Sequence, residues 1–185
     1  MNIPAPRHRF TLDDWQEIVE AGVFRKGPRL ELLDGEIYDM VPIGPHHLSV
    51  VDRLNRFWVT ALGTRAIVRV QGSVPAPPQS QPEPDLALLR ERQDFYRKTH
   101  PQPDDVLLII EVADSSLDYD HDKLRIYARA GMAEVWIVDL LDARIEVYRA
   151  PRGDSYGDVR VARRGEQVAC LAFPDVALAV DDILG

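Results

Sequence analysis

The order of helical and strand patterns along the chain predicts an α/β fold with a mixed central sheet. Three short runs, at residues 85–89, 106–113 and 135–139, are rich in leucine and β-branched residues, as expected for strands buried on both faces. A helical pattern over residues 118–131 separates the second run from the third. A strand–helix–strand step of this length requires a crossover, so we expect these two strands to pair in parallel.

The length and composition are those of one globular domain, residues 1–185. A chain of 185 residues buries about 70 % of the surface that its unfolded form exposes. No apolar run approaches the ~18 residues needed to cross a bilayer, and residues 1–10 lack the apolar segment of a signal peptide, so we expect the cytoplasm. The net charge of −8 argues mildly against broad binding to nucleic-acid phosphates.

The N-terminal part predicts a helix followed by a hairpin. Thr11 is typical of an N-cap and Gly22 of a helix stop. The helix is predicted to pack through Leu12, Trp15, Ile18 and Val19. Asp34-Gly35, within residues 30–40, is a strong hairpin signal. Glu31 alternates with the leucines of this hairpin, so its side chain faces either solvent or a site.

Residues 44–63 show the clearest amphipathic helix, which Gly63 ends. Its apolar positions are Leu48, Val51, Leu54, Trp58 and Leu62. His46 and His47 occupy the first turn, where histidine is usually a surface or capping residue. Of the two, His47 lies one turn before Val51 and is expected to face inward.

The segment between this helix and the buried strands contains a strand at 66–74, a Pro-rich and Gln-rich connector at 75–84, and a loop at 90–104. The loop carries basic residues around two aromatic ones. These residues are Arg90, Arg92, Phe95, Tyr96, Arg97 and Lys98. They form either a solvated surface or a rim that contacts phosphate.

The C-terminal part predicts more strands. Residues 144–149 alternate as a strand with one wet face, and the remainder suggests further strands and a final helical turn. Cys170, the single cysteine, lies among apolar neighbours. It is expected to be a buried core thiol without a disulfide partner.

Two carboxylates mark the buried strands. Asp85 opens the first run, and Glu111 lies within the second, where a buried strand normally excludes an acid. Burying an unpaired charge is costly, so Glu111 needs a cation, a metal or a proton. If the two strands pair, Asp85 is its neighbour, and two adjacent acids favour a divalent ion.

Several common chemistries lack support. The chain has no G-x-x-x-x-G-K-[ST], no G-x-G-x-x-G after a strand, no C-x-x-C and no G-x-S-x-G, which removes the P-loop, dinucleotide, zinc-ribbon and hydrolase-elbow interpretations. Residues 118–123 begin like an EF-hand loop. The EF-hand interpretation fails because the sixth position is Lys123 instead of glycine and the twelfth is Arg129 instead of glutamate.

What remains is P-D at 84–85, E-V-A at 111–113 and Lys123, in this order on strand, strand and helix. With these residues the chain resembles the Uma-type restriction endonuclease family of the PD-(D/E)xK (restriction-endonuclease-like) superfamily. The resemblance covers about residues 10–184. It also includes L-E-L-L-D-G-E-I (30–37), His47 before Val51 and Leu54, E-V-A-D-S-S (111–116) and the block at 123–139.

This resemblance implies a restriction-endonuclease-like fold, with an N-terminal helix and hairpin beside a mixed sheet flanked by helices. It further implies a Mg²⁺-dependent DNA endonuclease, with Mn²⁺ as a possible substitute. The superfamily lysine would stand at Ala113, and Lys123 from the next helix would replace it. By the resemblance, Asp85, Glu111 and the carbonyl of Val112 hold the metal, Lys123 and Glu31 join them in catalysis, and His47 and Tyr127 support the acids or contact phosphate.

Two other functions stay open. Ala113 and the acidic charge favour a nuclease-like module that no longer cuts and serves in binding or interaction. A metal-dependent hydrolase of other phosphoesters is the third candidate. A homodimer is expected from the habit of the superfamily and from the open edges of the sheet.

Overall fold

The computed structural model describes residues 7–24, 27, 29–40, 42–114 and 116–185. Residues 1–6 at the N-terminus and Ser115 of the E-V-A-D-S-S block lie outside these ranges. The elements follow one another as α1 (Leu12–Glu20), β1 (Leu30–Leu33), β2 (Glu36–Asp39), α2 (Pro45–Leu62), β3 (Ala66–Val70), β4 (Leu86–Arg90), β5 (Val106–Ala113), α3 (Leu117–Arg129), β6 (Glu134–Asp139), β7 (Arg144–Arg152), β8 (Ser155–Arg163), β9 (Gln167–Ala169), β10 (Ala177–Ala179) and α4 (Val180–Leu184).

The central sheet has six strands in the order β3-β4-β5-β6-β7-β8. Every neighbouring pair is antiparallel except β5 and β6, which run parallel with Glu111 opposite Ile137. Helix α3 makes the crossover between these two strands. The predicted α/β class and mixed sheet are confirmed.

The alternation of side chains along the strands divides the core between the two faces of the sheet. Leu86, Leu88 and Ile110 pack on the face covered by α2. Ala87 and Ile109 pack on the other face, with side chains of α3. Glu111 shares the alternation of Ile109, so β5 carries its carboxylate to the α3 face.

Helix α2 buries the apolar positions predicted for it, with one change. Val50 is buried, whereas Leu48 is 41 % exposed. Leu48 was predicted on the apolar face, and this was wrong. Leu48 is the next residue after the buried His47, so the turn of the helix directs its side chain away from the sheet. Gly63 ends the helix as predicted.

Helix α1 begins with the predicted Thr11 cap, which forms a capping box with Asp14. Trp15 is buried, but Val19 is 52 % exposed. The expectation that Val19 packs on the core was wrong, because α1 lies at the surface beside the connector, where Leu12 N–H donates to the carbonyl of Pro78 (3.2 Å).

The hairpin of β1 and β2 turns at Asp34 and Gly35, which have φ values of 48° and 77°. Both values are those of a tight type I′ hairpin turn. A side chain at Gly35 would also lie 2.7 Å from Cβ of Arg9. The predicted hairpin is confirmed.

Strand β3 is shorter than the predicted 66–74, because Gln71 adopts a φ of 48° and turns the chain out of the strand. At the other end of the chain, β9 and β10 form a small separate sheet before α4. Cys170 is buried, as predicted. Within the described part of the chain, no helix combines the length and apolarity needed to span a membrane.

Candidate active site

A cavity of about 120 Å³ opens between β1, β4, β5 and the helices α2 and α3. Its lining includes five residues that the sequence singled out, namely Glu31, His47, Asp85, Glu111 and Lys123. The backbone segment at Val112 lines it as well. Residues from a hairpin, two helices and two strands therefore meet at one place.

Asp85, directly before β4, is held by two short hydrogen bonds at one oxygen. Its Oδ2 accepts from the N–H of Val112 (2.9 Å) and lies 2.9 Å from Nε2 of His47. Its Oδ1 takes a longer bond of 3.5 Å from the amide of Gln71. One oxygen of this acid is thus firmly fixed and the other is weakly occupied.

Glu111 of β5 is buried beside a cation. Its Oε1 lies 2.6 Å from Nζ of Lys123 and accepts a 2.5 Å hydrogen bond from the hydroxyl of Tyr127. Its Oε2 accepts only a 3.4 Å bond from the N–H of Asp85 among the described residues. Burial raises the pKa of Glu111 to about 8, although the Lys123 ammonium opposes the shift.

Lys123 projects from α3 into this carboxylate cluster and is 3 % exposed. Burial alone would lower its pKa. The negative charges of Glu111, Glu31 and Asp120 outweigh that effect and raise the pKa above its ordinary value. Lys123 therefore stays an ammonium, and the site contains a permanent positive charge.

Glu31 faces the site rather than solvent, and is 1 % exposed. Its Oε1 accepts from the hydroxyl of Tyr119 (2.6 Å), and its Oε2 accepts from the N–H of Glu83 (3.0 Å). Nζ of Lys123 lies 3.6 Å from the same Oε2. Both oxygens are occupied, and Glu31 is a second carboxylate beside the Lys123 ammonium, after Glu111.

His47 faces inward, as predicted, and contacts Asp85. Burial alone would lower its pKa, but the hydrogen bond to Asp85 and the charge of that acid raise it above 6.5. Its Nδ1 is buried and has no partner among the described residues. His47 thus holds Asp85 in place, and Tyr127 does the same for Glu111.

Asp120 and Tyr119 complete the site, and sequence reasoning missed both. Asp120 is buried and accepts from the hydroxyl of Ser116 (2.7 Å). Burial raises its pKa to about 6, with Lys123 opposing. The signal that could have found it is its spacing, because Asp120 precedes Lys123 by three positions and so shares a helix face with it.

The charge balance of the site suits a divalent cation. Six acidic residues line the cavity around one ammonium and one imidazole, namely Glu31, Glu83, Asp85, Glu111, Asp114 and Asp120. Among the described residues no three acidic, histidine or cysteine side chains already form a metal-binding group. Mg²⁺ is bound by one or two carboxylates and keeps several waters, so the weakly occupied oxygens of Asp85 and Glu111 fit that ion.

No arginine is found in the part of the cavity lining that the structure describes. Arg29 pairs with Glu83, which lines the cavity, but Arg29 itself is not part of the lining. The only permanent cation in that lining is the predicted Lys123, so the pair of acids is not neutralised by an internal arginine.

The family model described as "Putative restriction endonuclease", Uma2, matches residues 13–181. The chain belongs to the Uma2 family. The resemblance inferred from the spacing of P-D, E-V-A and Lys123 is therefore confirmed. No curated protein matches this Uma2 chain in sequence.

The Uma2 chain is also similar to a solved structure, the crystal structure of "a putative nuclease belonging to DUF820" from Anabaena variabilis ATCC 29413. The TM-score is 0.72 at 15 % sequence identity, and the match covers 95 % of this chain and 97 % of that one. The agreement extends over nearly the whole of both chains. It confirms the predicted fold, a mixed sheet flanked by helices with an N-terminal helix and hairpin.

Proposed function

We propose that this Uma2 protein is a Mg²⁺-dependent endonuclease that hydrolyses DNA phosphodiester bonds at Asp85, Glu111 and Lys123. The observation that carries the proposal is the convergence of these three groups in one cavity. Glu111 lies 2.6 Å from Lys123 and 3.4 Å from the backbone of Asp85. Membership of the family supports the same activity.

Asp85 and Glu111 would hold Mg²⁺, or Mn²⁺, with the carbonyl of Val112 as a further oxygen ligand. Hard divalent cations prefer such oxygen donors. When bound, the ion supplies an acidified water and neutralises charge that develops on the phosphate.

Lys123 would place a fixed ammonium beside the attacked phosphate. Its position between Glu111 and Glu31 keeps it charged and oriented before substrate arrives. Preorganised charges of this kind are worth roughly 100-fold or more in rate. Glu31 would act with Lys123, while His47 and Tyr127 would keep Asp85 and Glu111 oriented or contact phosphate.

Plasmid nicking in Mg²⁺ or Mn²⁺ tests the proposal. We expect Asp85→Asn, Glu111→Gln and Lys123→Gln each to lower the rate by about 100-fold or more. Asp118→Asn and Arg125→Gln change the same types of charge at exposed positions of α3 and are matched controls. Cutting that is unaltered in both Asp85→Asn and Glu111→Gln contradicts the proposal.

A second candidate is a nuclease-like module that binds without cutting. It is favoured by the short Lys123–Glu111 contact, since an internal ammonium can serve as the counter-ion in place of a metal. This candidate predicts no nicking, and no effect of Mg²⁺ on the melting temperature. Turnover of a small phosphodiester without nicking would instead indicate another phosphoester as substrate.

The homodimer stays a prediction. Strands β3 and β8 are the open edges of the central sheet, and Val159 and Val161 of β8 are exposed. Exposed edges of this kind favour pairing with another copy. Light scattering at micromolar concentration tests it, and a monomer mass counts against it.

A further inference from the structure

A second, larger groove of about 660 Å³ shares no lining residue with the active-site cavity and plays no part in the chemistry proposed above. It is formed by α1, the end of β3, the connector and the loop before β5. Its charged and aromatic lining residues are Asp13, Arg69, Tyr96, Arg97, Lys98 and His100. Three permanent cations thus face a single acid, on a protein whose net charge is −8.

Arg69 is a half-buried cation in the lining of this groove. Its guanidinium lies 5.5 Å from the ring centroid of Tyr96. Burial lowers its pKa. Among the described residues no carboxylate pairs with Arg69, and a partly desolvated guanidinium without such a partner has free donors that suit an anion.

Gly72 makes room for this arginine. A side chain at residue 72 would lie 2.6 Å from Cδ and 2.9 Å from Cγ of Arg69. The chain therefore folds Arg69 over a position where any larger residue would displace it.

The loop on the other side of the groove is held in a fixed shape. Arg92 makes two hydrogen bonds to Asp94 (2.9 and 2.8 Å) and stacks on Tyr96 at 4.4 Å. The hydroxyl of Tyr96 donates to the carbonyl of Arg90 (2.9 Å). Phe95 and Tyr96 both have φ near +50° (50° and 56°), which is uncommon for bulky residues and is held by these contacts.

The groove adjoins the active site through Gln71. The N–H of Gln71 donates to the carbonyl of Asp85 (3.0 Å), and its amide reaches Oδ1 of the same acid (3.5 Å). Arg69 lies opposite Ala87 in the pairing of β3 with β4, and Ala87 follows Asp85 by two positions, which along a strand is a distance of about 7 Å. A polymer bound at Asp85 can therefore reach Arg69 with the next part of its backbone.

We propose that this groove binds the sugar–phosphate backbone of DNA beside the scissile phosphodiester. Arg69 contacts one phosphate, and Arg97 and Lys98 contact the backbone further from the active site. The inference rests on the proposed endonuclease function, since it names the surface that holds the substrate. The groove provides the local positive charge that the acidic chain otherwise lacks.

The test is the affinity for a fluorescent 20-base-pair duplex, measured by anisotropy in EDTA at several salt concentrations. We expect Arg97→Gln/Lys98→Gln to weaken binding about tenfold or more and to reduce the slope of log affinity against log salt by about 2. Arg69→Gln should weaken binding in the same direction and reduce the slope by about 1. The control Arg53→Gln/Arg56→Gln removes two exposed charges from α2, on the other face of the sheet, and should bind as the wild type does.

The outcomes separate the groove from the cutting activity. If both groove variants bind the duplex with the affinity and salt slope of the wild type, the proposed role of the groove is wrong and the endonuclease proposal is unaffected. A wild-type protein that does not bind the duplex at low salt overturns the groove as well. DNA binding that is lost in the groove variants, together with a wild type that never nicks plasmid, supports the groove and contradicts the endonuclease.

Discussion

Nζ of Lys123 lies 2.6 Å from Oε1 of Glu111, and both side chains are almost completely buried. The two residues belong to neighbouring elements, α3 and β5, which the crossover packs face to face. A buried pair of this kind is costly to break, because the partner that remains is an uncompensated charge. The same pair provides the charge of the candidate active site.

Lys123→Met is expected to lower the free energy of unfolding by about 3–5 kcal/mol at pH 9, above the Glu111 pKa of about 8, where that side chain is charged. The loss should shrink at pH 5, where Glu111 is protonated. Urea unfolding at the two pH values measures both effects. Arg125→Gln, on the exposed side of α3, is the control, and a Lys123→Met protein as stable as this control contradicts the prediction.

Tyr127→Phe removes the 2.5 Å hydrogen bond to Glu111 without changing the ring. At pH 9, above the Glu111 pKa of about 8, the acceptor is a charged group, and we expect a loss of about 1.5–3 kcal/mol in unfolding free energy. Tyr38→Phe removes a similar bond to Glu36 at the surface. It should have little effect in the same denaturation experiment, so equal losses in the two variants would show that burial of the bond is irrelevant.

Stability in metal-free buffer should fall as the pH rises from about 5 to 8. The pKa of Asp120 is about 6 and that of Glu111 about 8 in the folded protein, both raised by burial. The pKa of His47 is raised too, by Asp85. A group with a higher pKa in the folded state binds more protons there, so it stabilises the fold at low pH and loses this contribution as the pH rises through the folded value.

Chemical denaturation in EDTA across this range measures the slope. Asp120→Asn should flatten it around pH 6, because asparagine does not titrate. Asp118→Asn, at an exposed position, should keep the wild-type slope. A stability that increases from pH 5 to 8 in the wild type would run against the predicted sign.

Mg²⁺ should raise the melting temperature. A ligand at 100 times its dissociation constant stabilises the folded state by about 2.7 kcal/mol, which for a chain of this size is roughly 5–10 °C. Asp85→Asn and Glu111→Gln should lose the shift, and Asp118→Asn should keep it. Differential scanning fluorimetry with and without Mg²⁺ measures this shift in melting temperature. A shift that persists in Glu111→Gln would place the ion elsewhere.

The signals for the helices, strands and turns are local, so the sequence by itself determined them. The β-branched run of β5, the Asp34-Gly35 turn and the glycine that ends α2 all lie within windows of a few residues. The crossover then follows from chain geometry. The spacing of Asp85, Glu111 and Lys123 was enough to identify the family and three groups that meet in the cavity.

Only the tertiary structure decided which remaining side chains join them. Glu31 could face either way until its bond to Tyr119, 88 residues later, showed that it points inward. The spacing of Asp120 places it on the same helix face as Lys123, but only the packing of α3 shows that this face is buried in the site. The direction in which a side chain points depends on contacts between segments that are distant in sequence, and no local pattern contains those contacts. For the same reason Leu48 and Val19, apolar by pattern, lie at the surface.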